Sequence, residues 1–112
     1  MKKLKQILET MYENDKNAID ECNLGIVEEI NKEAGCETLG LLIEILENNF
    51  SDMDTLEDLY NFRDILQNIE RINDEEIDDE DVNDIDKMRL KAQNGLIDNI
   101  LCMIDTKPNE LI

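Results

Sequence analysis

Aliphatic residues recur at steps of three and four along most of the chain, and this spacing restricts the fold more than any other feature. A first stripe lies within residues 4–11, and the most regular one lies within residues 56–69. Residues three and four apart share one face of an α-helix, whereas a strand requires alternation, which no segment shows. We therefore predict an all-α fold, a small helical bundle of about five helices.

Several residues mark expected helix boundaries. We predict a weak point in the first helix at Asn14–Asp15 and the C-terminal end of a helix at Gly35. We also predict a capping box at Asp54–Glu57 and a bend in the last helix at Asn94–Gly95. The length of 112 residues suits a single domain, residues 1–112. Within it we expect an acidic connector at 73–86 and a loose tail at 106–112.

Composition gives an expectation about location. The three cysteines form no C-x-x-C pair, which favours reduced thiols. The chain starts with an amphipathic segment rather than a secretory signal, and no apolar run approaches the roughly 18–20 residues of a membrane span. We expect a cytoplasmic protein of a bacterial host cell that makes no membrane contact.

The charge is strongly negative, with 29 acidic and 11 basic residues, no His and a net charge of −18. Such a chain is repelled by nucleic acid and by anionic lipid, and it is attracted to basic proteins. A second acidic surface, on residues 20–58, also favours binding to a basic partner. Nine acids fall within thirteen residues, and we predict that they bind the partner: Asp74, Glu75, Glu76, Asp78, Asp79, Glu80, Asp81, Asp84 and Asp86.

The density of this acidic run is comparable with that of nucleic acid. As a helix it would carry roughly one charge per 2 Å, and fully extended about one per 5 Å. Duplex DNA carries about one charge per 1.7 Å of its axis. A groove that holds phosphates could therefore accept the run.

Other chemistries fit less well. Read as an EF-hand from Asp79, the run has Asp84 where Gly is required and Leu90 where Glu is required. Zinc sites and His-dependent catalysis need residues that the chain lacks. We expect no catalytic residues, no cofactor and no metal site.

One enzyme alternative rests on paired acids. Glu44-x-x-Glu47 and Glu75-x-x-Asp78 resemble, in spacing, the all-α nucleoside triphosphate pyrophosphatases similar to MazG. That resemblance implies Mg²⁺ held between two helices over a pyrophosphate.

In size, acidity and helical content the chain resembles the small acidic anti-CRISPR and DNA-mimic proteins of phages. The resemblance implies a non-catalytic inhibitor that blocks a basic, nucleic-acid-binding surface of another protein, such as a Cas protein, without touching nucleic acid itself. An immunity protein or antitoxin that neutralises a basic toxin is the first alternative. A helical adaptor that self-associates into a homo-oligomer is the second.

Overall fold

The computed structural model describes residues 2–21, 23–50 and 55–112. In those ranges the chain forms five helices and no strand, which confirms the predicted all-α bundle. The helices are α1 (Lys2–Glu21), α2 (Ile26–Asn49), α3 (Leu56–Ile77), α4 (Asp84–Thr106) and the short α5 (Pro108–Leu111).

The helices form two antiparallel hairpins that meet through α2 and α4. In the first hairpin, Nζ of Lys5 on α1 lies 3.1 Å from Oε1 of Glu47 near the end of α2. In the second, Nε of Arg63 near the start of α3 lies 3.0 Å from Oδ1 of Asp105 near the end of α4. The helix α5 packs against α1, α3 and α4.

A contact between two aromatic rings joins the two hairpins. Phe50, which caps α2, packs edge to face on Phe62 of α3, with ring centroids 5.9 Å apart. The end of α2 and the start of α3 therefore lie at the same end of the bundle, together with α5. We call this the core end, and we call the opposite end, which holds the α3–α4 loop, the tip end.

Apolar packing is concentrated near the core end. The buried cluster consists of Leu4, Leu8, Leu39, Leu42, Leu46, Phe50, Leu59, Phe62, Leu66, Ile97, Ile100, Ile104 and Leu111. Between Leu66 and Ile97 the buried residues are Asn73 and Asn94, both polar. The half of the α3–α4 hairpin nearest the tip is thus held differently from the rest.

Two expected breaks in the first hairpin are wrong. The helix α1 passes through Asn14–Asp15 without interruption, and Asp15 pairs with Lys32 at 3.2 Å. Gly35 lies inside α2 and is buried there. A Cβ atom at this position would lie 3.2 Å from Oδ2 of Asp15, so Gly35 permits close approach of α1 rather than ending the helix.

Two boundary predictions for the second hairpin also differ from the structure. Asn94–Gly95 does not split α4, because the Asn94 side chain is buried and bonded to α3. The helix α3 is capped by Thr55, which forms a capping box with Asp58. The predicted cap Asp54 lies outside the described residues.

The connector and the tail are more ordered than expected. The helix α3 continues to Ile77 and α4 starts at Asp84, so only residues 78–83 of the predicted connector 73–86 join the helices. In the tail at 106–112, Pro108 opens α5, where its fixed φ suits the first helical position. Leu111 is 2% exposed and belongs to the core.

Candidate functional site

The nine predicted partner-binding residues lie together at the tip end, and we call residues 74–86 the acidic tip. They occupy the last turn of α3, the loop and the first turn of α4. All nine side chains are exposed. The structure therefore brings this predicted set into one continuous surface.

Four of these carboxylates have partners within the chain. Asp74 accepts a hydrogen bond of 2.9 Å from Asn94, and Glu75 pairs with Arg71 at 2.8 Å. Asp79 accepts from the backbone N–H of Asp81 in the loop. Asp86 accepts from the side-chain amide of Asn83, the residue that caps α4. Local structure explains these four acids.

The other five carboxylates make no hydrogen bond and no ion pair within residues 2–21, 23–50 and 55–112. They are Glu76, Asp78, Glu80, Asp81 and Asp84. An exposed carboxylate keeps its hydration and remains available to a cation from outside. These five groups are the part of the acidic tip that makes no bond to the described residues.

Helix polarity separates the two sides of the tip. A helix carries partial positive charge at its N-terminus and partial negative charge at its C-terminus. Asp84 and Asp86 lie in the first turn of α4, where acids are favourable. Glu76 and Asp78 lie at the end of α3, whose last turn contains no basic residue. Acids at that position oppose the helix dipole and weaken the helix.

The acidic tip also projects. Glu28 in the first turn of α2 and Ala92 of α4 line the same groove, of about 430 Å³. The helix α4 begins eight residues before Ala92, or about 12 Å along its axis. The tip therefore extends past the start of α2, where a flat or concave partner surface can reach it.

The second acidic surface, predicted on residues 20–58, follows α2 and reaches the start of α3. Glu28 and Glu29 lie in the first turn of α2, whereas Glu47 lies near its other end and pairs with Lys5. Asp58 belongs to the capping box of α3.

The paired-acid motifs of the enzyme alternative are separated. Glu47 is one turn from Phe50, which packs on Phe62, while Glu75 is thirteen residues beyond Phe62, or roughly 20 Å along α3. Within the described residues, no group of three or more Asp, Glu, Cys or His side chains could hold a metal ion.

Sequence reasoning missed a second set of polar residues, at the α3–α4 interface. The register set by Asp74–Asn94 and Arg63–Asp105 brings the carboxyl group of Glu70 on α3 into contact with that of Asp98 on α4, and Oε2 of Glu70 is buried without a hydrogen-bond donor. That contact, burial and the negative charge of Asp98 and Asp74 raise the pKa of Glu70 to about 7. A signal was present, since Glu70 follows Leu66 by four and precedes Asn73 by three, which places a charge on the buried stripe.

Comparisons with known proteins do not indicate a function for this chain. No protein-family model, curated protein or solved structure matches the chain. None of the helices in the described parts of the chain combines the length and the apolar character needed to cross a bilayer.

Proposed function

We propose that this protein is a non-catalytic inhibitor that inserts its acidic tip into a basic, nucleic-acid-binding surface of another protein. The observation that carries the proposal is a set of five exposed carboxylates that have no partner among the residues that the structure describes: Glu76, Asp78, Glu80, Asp81 and Asp84. Lys and Arg that normally hold phosphates would pair with these groups.

The position of the acids at the end of α3 supports the same conclusion. Solubility needs only net charge, which can be carried anywhere on the surface. Glu76 and Asp78 are placed where they oppose the dipole of α3. A binding role accounts for acids at a position that local stability disfavours.

An apolar anchor lies beside the carboxylates. Ile85, in the first turn of α4, is 55% exposed, and Ile72 on α3 is 45% exposed. Exposed ion pairs contribute little to affinity, whereas apolar contacts in the centre of an interface contribute much. We propose that the acids steer association and that Ile85 adds to the lifetime of the complex.

The test compares three immobilised proteins for capture of nucleic-acid-binding proteins from a bacterial lysate. The first is the wild type. The second carries Glu76→Gln, Asp78→Asn, Glu80→Gln and Asp81→Asn. The third is a matched control with the same change in charge at exposed positions elsewhere, Glu13→Gln, Glu37→Gln, Glu44→Gln and Asp64→Asn.

We expect the wild type and the matched control to retain proteins that duplex DNA displaces and that salt elutes. The tip variant should lose them. Equal retention by the tip variant would exclude the acidic tip as the binding site, and retention that DNA does not reduce would contradict competition for a nucleic-acid-binding surface.

A further inference from the structure

The tip-end half of the α3–α4 hairpin is held by polar side chains rather than by an aliphatic core. Its buried residues are Asn73 and Asn94. Glu70 and Asp98 meet one turn closer to the core end, across the same interface. The apolar side chains of this half, such as Ile77, Met88 and Leu90, are only partly buried, so the polar contacts contribute to keeping it closed.

The amide donors of this interface are already used by other acceptors. Asn94 donates to the carboxylate of Asp74 at 2.9 Å and to the backbone carbonyl of Glu70 at 3.4 Å. Asn73 donates to the side-chain oxygens of Asn94 at 3.0 Å and Gln93 at 3.3 Å. None of these amides bonds to the carboxyl groups of Glu70 or Asp98.

Glu70 and Asp98 can bond to each other only through a proton. An ionised carboxylate is purely an acceptor, so a hydrogen bond between two carboxyl groups requires one of them to be protonated. The Oε2 atom of Glu70 is buried and has no amide or hydroxyl donor. A hydrogen bond between these two groups therefore requires one proton shared between the helices.

The charges around Glu70 are negative. Asp98 faces it from α4, and Asp74 acts on it from α3 itself. The helix α5 also packs on α3, but its one charged residue, Glu110, lies in a groove with Lys3 of α1. Together with the hydrogen bond and burial, these charges raise the pKa of Glu70 to about 7.

We propose that Glu70 and Asp98 form a pH-sensitive latch that keeps the tip-end halves of α3 and α4 together while the two carboxyl groups share a proton. Loss of that proton leaves two negative charges facing each other, one with its Oε2 atom buried in the interface and the other, Asp98, exposed, and they repel. The latch does not depend on the proposed inhibitor function.

The direction of the pH effect follows from the raised pKa of Glu70. A carboxyl group that is harder to ionise in the folded state stabilises the fold fully below its unfolded pKa, near 4.5. That stabilisation is lost as the pH rises through about 7. The hairpin is therefore tighter in mildly acidic solution and looser in mildly alkaline solution.

A direct test is an NMR titration of the side-chain carboxyl carbons in the intact wild-type protein. We expect the resonance of Glu70 to titrate near pH 7, well above the ordinary glutamate value of 4.5. A midpoint for Glu70 within the range of the exposed glutamates would overturn the latch. This measurement needs no variant and so does not depend on whether a variant folds.

Amide hydrogen exchange tests the mechanical consequence. Between pH 5 and pH 8, after correction for intrinsic exchange, protection of the amides at 70–77 and 91–98 should fall at least roughly tenfold in the wild type. In Glu70→Gln the neutral amide donates to Asp98 at every pH, so protection should hardly change with pH.

The matched control is Asp64→Asn, which removes one charge from an exposed position on the same helix. It should keep the pH dependence of the wild type. The latch is wrong if Glu70→Gln keeps that dependence as well, or if Asp64→Asn abolishes it to the same extent.

Discussion

The two ends of the bundle are built from different interactions. At the core end all five helices contribute aliphatic or aromatic side chains to one buried cluster. At the tip end, α3 and α4 are joined by amides and carboxyl groups, and beyond these lies an exposed acidic surface. Hydrophobic packing supplies most of the stability of a small domain, so we expect most of the stability of this fold to come from the core end. The tip end can then carry carboxylates, five of them without a partner within the described residues.

The largest loss of stability should come from removing a large buried side chain at the core end. Phe62 is fully buried and packs on Phe50, so Phe62→Ala should lower the free energy of unfolding by about 3–5 kcal/mol. Chemical denaturation measures this loss, and Tyr60→Ala, at a 43% exposed position on the same helix, is the control. Similar losses in both variants would mean that the aliphatic cluster is not what supports the fold.

A smaller and more local effect should follow from changing the polar interface at the tip end. Asn94→Ala removes the hydrogen bonds to Asn73, to Asp74 and to the carbonyl of Glu70, and should destabilise the protein by about 1–3 kcal/mol.

The control for that variant is Asn99→Ala, at an exposed position of the same helix, which should have little effect. Hydrogen exchange distinguishes the two ends, because only amides of the tip-end half should lose protection in Asn94→Ala. Equal loss of protection at the core end would show that the two ends unfold as one unit.

The same division explains what the sequence could predict. The stripes at 4–11 and 56–69 predicted helices correctly, because a buried aliphatic face leaves its period in the sequence. Residues 74–86 were found because charge clustered along the chain is visible without a structure. Both features depend only on neighbouring residues.

Features that depend on a second helix were missed. Gly35 signals a helix end when read alone, but its role depends on the approach of Asp15 from α1. Asn94 signals a bend when read alone, yet it is satisfied by Asn73 and Asp74 of α3. Glu70 and Asp98 are 28 positions apart, and no local pattern pairs them. Tertiary partners override local propensity at each of these positions.

The smallest predicted effects are changes in stability of opposite sign on the two sides of the acidic tip. Asn83→Ala removes the side-chain cap of α4 and should destabilise the protein by about 1 kcal/mol. Glu76→Gln combined with Asp78→Asn removes two charges that oppose the dipole of α3, and should stabilise the protein by roughly half a kcal/mol at low salt. Thermal unfolding at low and high ionic strength checks both values, since salt screens the dipole effect but leaves the cap intact. If the double variant instead destabilises the protein, Glu76 and Asp78 support the fold, and their position no longer argues for a binding role.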